Sequence, residues 1–262
     1  MTLGGTMADE SGSNQERSTM RSVERAFDVV DLLSDSGRPL RLAEVARGTG
    51  LHIATAQRIL KVLERRNYVA QDSAGYSVGA AALAAAHSFL VGNHLVLTAT
   101  PVLQELAAAL GLTASLSVRL GSARVLVARV EGSSPLRYQL PVGGRLPLHL
   151  GAGKVFLAYM DKPGRDEVLG DMEKLETAGG TAIPRDEYLS LLDEIAAQGY
   201  AVSRNERVVG AVSVSAPVRS REGHLLGAVQ VAGREEDLSD DRLPEVTREV
   251  VNAGASIAAR MR

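Results

Sequence analysis

Between residues 42 and 59 two short helix-forming runs are separated by Gly48-Thr49-Gly50, with the small residue Ala46 four positions before Gly50. A small side chain lets two helices approach closely, and glycine takes the turn conformation that other residues avoid. Val45, Leu51, Ala56 and Ile59 supply the apolar positions that lock the crossing angle. The spacing therefore predicts helices over 42–47 and 52–66 joined as a helix-turn-helix.

The flanks extend this motif. Ser22 is placed to cap a helix in which Val23, Ala26, Phe27, Val30 and Leu33 recur at helical spacing, stopped by Ser34-Asp35-Ser36-Gly37. After the second motif helix, β-like runs over 68–71 and 76–78 flank Asp72-Ser73-Ala74-Gly75, a turn sequence, and form a wing. With Ala56, Ile59, Leu60 and Leu63 turned inward, Ala54, Arg58 and Lys61 point outward and Thr55 and Gln57 lie on the flanks. Arginine offers a bidentate fork to guanine, glutamine one to adenine, lysine a charge to phosphate, and Ala54 or the Thr55 methyl a contact to thymine. Ser73, at the wing tip, would lie on the sugar-phosphate backbone. Residues 40–70 carry six basic side chains against two acids, a local excess of +4, in a chain whose net charge is −2. The pattern points to double-stranded DNA; the bland alternative is a packing module with Arg58 and Lys61 on a solvated face.

Residues 1–20 are polar and lack a core of their own, which predicts a disordered tail. Helices are predicted over 79–89 and 95–110, the latter kinked or broken at Pro101. Beyond Gly111 strands and helices mix: strands over 115–120, 123–131 and 136–142, helices over 151–160, 162–173 and 184–198, strands over 210–219 and 225–233, and a last helix over 239–261. This order suggests an α+β domain with a mainly antiparallel sheet. The domain boundaries are set at 1–20 for the tail, 21–79 for the winged helix-turn-helix, 80–94 for a linker helix and 95–262 for the second domain.

Several chemistries drop out. With no cysteine there is no disulfide, thiolate metal site or cysteine nucleophile, so a signal sensed by this chain is a ligand rather than a thiol redox change. His52, His87, His94, His149 and His224 are scattered without metal-ligand spacing, and no GxSxG elbow occurs. His52 falls near the buried side of its helix and reads as a packing residue at the helix start. Gly151-Ala152-Gly153-Lys154 opens a helix, so its free N–H groups suit an anion such as a carboxylate, unless the glycines serve only close packing. It is not a phosphate-binding P-loop, because Leu148 stands where the first glycine belongs and Val155 follows the lysine. Lys154 lacks an identifiable activator for Schiff-base chemistry. The chain reads as non-enzymatic, without metal or cofactor. Its apolar runs are too short to span a membrane and its start lacks a signal-peptide layout, so it is expected in the cytoplasm. The competing reading is a metabolite-binding or enzymatic domain whose N-terminal helices serve only oligomerisation.

The stretches RSVERAFDVVDLL, LAEVARGTGLHIATAQRILKVLERRNYV, GRLPLHLGAGKVFLA, GYAVSRNERVVGAVSVSAPV and LLGAVQVAG resemble, in order, the IclR (isocitrate lyase regulator) family of bacterial transcription factors. Ala54-Thr55-Ala56-Gln57-Arg58 keeps most of the family's Ser-Thr-Ala-x-Arg run, and Gly199, Ser203 and Glu206 match its C-terminal signature. Arg219 and Ser220 depart from the aromatic-acid pair often found there, Ser203 lacks the negative charge common at its position, and the segment 149–153 is one residue shorter than usual.

The resemblance implies a winged helix-turn-helix joined by a linker helix to a GAF-like α/β effector-binding domain. It implies a homodimer, or a homotetramer of paired dimers, on operator DNA. Carried over position by position, the effector site comprises Gly151 and Ala152 as N–H donors with Ser203, Ser213 and Gln230, while Leu146 and Leu148 line an apolar wall or belong to the core. The expected effector has one carboxylate and an apolar or aromatic body.

Overall fold

The computed structural model describes residues 8–133 and 140–261. They form two compact units that meet in sequence at Phe89 and Leu90, inside the segment expected to link the domains.

The first unit contains α1 (Ala8–Asp35), α2 (Leu42–Gly48), α3 (Ile53–Arg65), the hairpin β1 (Val69–Gln71) and β2 (Tyr76–Val78), and α4 (Ala80–Gly92) as far as Phe89. The α1 helix starts at Ala8, so the part of the expected tail that is described, 8–20, is helical. Once the turns after Ser22 are anchored, each added residue gains a hydrogen bond without a new nucleation cost, and Ala, Glu, Gln and Arg are good formers. The core is Val29, Leu33, Leu40, Val45, Leu60, Leu63 and Val69. Within α1 the predicted stripe is met by Leu33 in the core and by Ala26 and Val30 packed against it, Val29 is added, and Val23 and Phe27 are left 52% and 66% exposed. The turn between α2 and α3 works as read from sequence: Gly50 takes φ +65° and Leu51 N–H closes on the Ala46 carbonyl at 2.9 Å. At the wing tip the Asp72 carboxylate accepts the N–H groups of Ala74 and Gly75 at 2.8 and 3.1 Å. No residue of α4 is buried, although the helix is apolar all round.

In the second unit, Asn93 caps α5 (His94–Leu110) by accepting the Val96 N–H at 3.1 Å. Pro101 sits inside α5 without ending it. The carbonyl that loses its partner belongs to Leu97, whose side chain lies on the exposed face. A six-stranded sheet follows, built from β3 (Thr113–Leu120), β4 (Ala123–Val130), β5 (Arg145–Pro147), β8 (Ala201–Arg204), β9 (Ala211–Arg219) and β10 (Leu225–Arg234). Its order is β5-β4-β3-β10-β9-β8 with every pair antiparallel. The remaining elements are α6 (Gly153–Ala158), α7 (Lys162–Leu169), a separate hairpin of β6 (Lys174–Glu176) and β7 (Ala182–Pro184), α8 (Arg185–Gln198) and α9 (Leu243–Arg260).

Alternation divides the sheet into two faces. Ala114, Leu116, Val212, Val214, Val229 and Val231 pack with α5 and α9 in the main core. On the other face α6 and α8 cover one part, where Leu148, Ala152, Tyr188 and Leu192 are buried with Ala201 and Ala228. The strands β5, β6, β7 and β8 were not foreseen, because three or four residues are too few to display alternation. Pro184 ends β7 as the N-cap of α8 rather than lying in its first turn, while Gly199 stops α8 with φ +81°, as expected. The α7 helix stops early because Gly170 turns to φ +49°. Of the strand expected over 136–142, residues 136–139 lie outside the described residues. No single helix among the described residues is long and apolar enough to cross a membrane.

Candidate functional site

Two surfaces carry the chemistry, one in each unit. On α3, Ala56, Leu60 and Leu63 are buried and Ala54, Gln57, Arg58 and Lys61 are exposed, with Thr55 half-buried. Arg58 lies back along its own helix, Nε and Nη2 each 3.4 Å from the Ala54 carbonyl and the Thr55 hydroxyl. Its fork is therefore held by long, weak bonds on a solvated face, ready to exchange them. Ser73 is exposed at the wing tip. His52, expected to pack, is instead the exposed N-cap residue of α3, and Ile53 beside it is 57% exposed. Residues at a helix start lie outside its wheel, which is why periodicity misplaced His52.

In the second unit, a cavity of about 610 Å³ opens on the sheet face that α6 and α8 leave uncovered. Its floor is made of short side chains, Thr113 and Ser115 from β3, Gln230 and Ala232 from β10, Ser213 from β9 and Ser203 from β8. Leu126, Leu140, Val208 and Val209 supply apolar wall, and Arg124, Arg129, Glu206 and Arg207 supply charge. Of the predicted effector residues, Gly151, Ser203, Ser213 and Gln230 come together here, although they span three elements and a loop. Leu146, Leu148 and Ala152 do not line it. Leu148 and Ala152 are core beneath α6, and Leu146 stands opposite Arg124 in the β4–β5 pairing.

Arg124 dominates the electrostatics. It is 1% exposed, its Nη1 donates to Ser117 Oγ at 2.8 Å, and no carboxylate among the described residues pairs with it. Burial, reinforced by the like charge of Arg207, lowers its pKa to about 10, which still leaves it cationic at neutral pH. Its Nε finds no partner, and three other buried polar atoms are equally unmatched: Arg129 Nε, Thr113 Oγ1 and Ser203 Oγ. All four belong to residues lining this one cavity. Buried donors without acceptors cost free energy, so their convergence marks a place for an acceptor-rich group.

The start of α6 is built differently from the expected anion site. Gly151 N–H donates to the Glu206 carboxylate at 2.7 Å, and the other Glu206 oxygen takes the Lys154 ammonium. Lys154, 2% exposed, also donates to the Val202 carbonyl at 3.0 Å. The protein thus places its own carboxylate where a ligand carboxylate was expected. Gly153 serves close packing: a Cβ there would lie 2.3 Å from the Leu148 carbonyl oxygen. Nearby, burial lowers the His149 pKa against the opposing pull of Glu206. Tyr188, which donates to the His149 carbonyl at 2.9 Å, has its pKa raised by burial and by Glu206.

Sequence reasoning missed Arg124 and Arg129. The available signal was two arginines in the otherwise apolar strand ARVLVARV, at positions whose sheet face only the pairing reveals.

Comparison with known proteins agrees with both units. The family model for the IclR helix-turn-helix domain matches residues 22–73, and that for the bacterial transcriptional regulator IclR C-terminal domain matches residues 87–259. The HTH-type transcriptional regulator BhcR of Paracoccus denitrificans is 29% identical over 261 residues, covering 98% of this chain and 91% of that protein. The crystal structure of an IclR transcriptional regulator from Alicyclobacillus acidocaldarius is 27% identical with a TM-score of 0.78, covering 92% of this chain and 99% of that one. An IclR homologue from Microbacterium hydrocarbonoxydans, solved in complex with 4-hydroxybenzoate, shares the fold with a TM-score of 0.74 at 18% identity, over 92% of this chain and 99% of that one. With a DNA-binding helix-turn-helix followed by a matching effector domain, the chain belongs to the IclR family of bacterial transcriptional regulators.

Proposed function

We propose that the protein binds a two-fold operator in the cytoplasm as a homodimer, or as a tetramer of two dimers, and responds to a small organic acid held in the cavity of its second unit. The observation that carries the effector half is the convergence of four unmatched buried donors, with an uncompensated arginine among them, on one cavity. A carboxylate supplies both the charge and the acceptor oxygens they lack. Leu126, Leu140, Val208 and Val209 suit an apolar or aromatic body. The homologue from M. hydrocarbonoxydans is complexed with 4-hydroxybenzoate, an aromatic carboxylate. Arg124 replaces the start of α6 as the anchor, because Glu206 already occupies the Gly151 N–H.

The DNA half rests on the exposed row of Ala54, Gln57, Arg58 and Lys61, with Thr55 on its flank and Ser73 on the wing. Dimerisation is supported by apolar side chains left without cover: Val23 and Phe27 on α1, Leu83, Phe89 and Val91 on α4. One reading helix spans few base pairs, so two-fold pairing supplies the rest of the site.

The test is thermal-shift screening of the full chain against small carboxylates, their neutral amides and nucleotides. Carboxylates should raise the melting temperature and R124M should abolish the rise. Stabilisation by amides or nucleotides alone overturns the effector reading.

A further inference from the structure

Resting on the effector reading, the strand β4 narrows the ligand to a finer class. Arg124 and Leu126 alternate onto the cavity face, and simple alternation would place Ala128 there next and turn Arg129 into the opposite core. The pairing with β3 does otherwise. Leu116 stands opposite Ala128 but Ser117 stands opposite Leu126, so Val127 has no partner and the strand is bulged. One extra residue resets the alternation. Val127 and Ala128 both enter the core under α5, and Arg129, opposite Ser115, comes round to the face of Arg124.

The second guanidinium is also incompletely matched, although less so than the first. Nη1 of Arg129 donates to the Leu140 carbonyl at 2.8 Å, and Nη2 lies 3.5 Å from Glu131, a half-exposed carboxylate. Its buried Nε has no partner. Thr113, whose hydroxyl is also unmatched, lies on the same face of β3 beyond Ser115, at the Arg129 end. The acids that line the cavity are already engaged: Glu206 by Lys154 and Gly151, Glu235 by Arg204 at 3.9 Å, and Glu236 by Arg234. Arg124 therefore has no countercharge among the described residues, and Arg129 has only the half-exposed Glu131. Along a bulged strand these positions lie roughly 13 Å apart at Cα, a spacing that lets two guanidiniums hold the two ends of one ligand. Between them the surface is Leu126.

We propose that the cavity selects a dianion, a dicarboxylate whose two carboxylates are held by Arg124 and Arg129 and whose apolar spacer crosses Leu126. Arg129 is then the specificity residue: Arg124 holds any carboxylate, and Arg129 rewards only ligands with a second one.

Calorimetric titration of the full chain tests this with glutarate, adipate and terephthalate, each against its monomethyl ester. At least one diacid should bind about tenfold or more tightly than its ester, as expected for a charge-assisted pair to a buried arginine. R129Q should remove that preference, bringing the diacid-to-ester affinity ratio down to about one. Circular dichroism and the melting temperature establish that the variant is folded, and the diacid-to-ester ratio of the unaltered protein decides the matter without any variant. Equal affinity for diacid and ester, or an equal loss of both in R129Q, overturns the dianion while leaving a carboxylate pocket intact. Failure of every diacid and ester to bind up to about 10 mM overturns the carboxylate reading as well.

Discussion

Gly151 donates its backbone N–H to the carboxylate of Glu206, fifty-five residues downstream, at 2.7 Å. The same carboxylate neutralises Lys154, which is almost fully buried, so one side chain closes the turn before α6 and compensates an interior cation.

Breaking that pair from one side should be costly. E206Q keeps an acceptor for Gly151 but leaves the Lys154 ammonium buried without its counter-charge, and should destabilise the second unit by about 3–5 kcal/mol in urea denaturation. The double variant K154M/E206Q removes both charges and should recover most of that loss. If E206Q unfolds at the parental urea midpoint, the pair is not a structural keystone.

Close packing at the same turn predicts a second effect. A Cβ at Gly153 would lie 2.3 Å from the Leu148 carbonyl oxygen, so backbone must move. G153A should cost about 2–3 kcal/mol in thermal or urea unfolding. A glycine kept only to receive an anion would tolerate alanine at no cost.

Readout by α3 predicts a split between two kinds of contact. R58A should lose about 1–3 kcal/mol of operator affinity and relax preference at one base pair, whereas K61A should weaken all sequences alike and reduce the salt slope by about 1. Fluorescence anisotropy on DNA flanking the protein's own coding region, at several salt concentrations, separates them. Loss of affinity without any change of specificity in R58A would place Arg58 on phosphate.

The uncovered apolar residues of α1 and α4 predict an assembly contact. Phe27 is 66% exposed and no residue of α4 is fully buried. F27E combined with L83E should shift the protein to a monomer in light scattering, keep its helical circular dichroism and lose operator affinity. A dimer that persists in the double variant puts the interface elsewhere.

His149 predicts a pH effect with a definite sign. Burial holds its folded pKa below the ordinary value of 6.5, so below about that pH the unfolded chain binds the proton more readily. Its contribution to stability is complete above pH 6.5 and declines as the pH falls from there towards the lowered folded value. H149Q should flatten the upper part of the acid limb of the melting-temperature profile, and an unchanged limb would remove His149 as its cause.

The two units differ in how much of them could be read directly. In the first, local signals agree: Ala46 and Gly50 shape the turn, and Ala56, Leu60 and Leu63 mark the buried face of α3, so the outward residues follow by geometry. Even there the buried face of α1 was read only in part: Leu33, Ala26 and Val30 pack as expected, while packing against α2 and α3 adds Val29 and leaves Val23 and Phe27 exposed. In the second unit Ser203, Ser213, Gln230 and Gly151, carried over by resemblance, line one cavity; Ala152 does not, and Leu146 and Leu148 are core, one of the two places open to them.

By itself, then, the sequence determined what depends on neighbours a few residues apart: the helix-turn-helix, its polar face, the long strands and the order of the two domains. Tertiary structure decided what depends on pairing. A bulge at Val127 turns Arg129 onto the cavity face, and the antiparallel register brings Arg124 to Ser117. A chain reversal then delivers Glu206 to Lys154. Side-chain direction in a sheet has a period of two, so one unpaired residue reverses everything after it. Buried charge has no meaning until the fold shows which countercharge arrives and which does not.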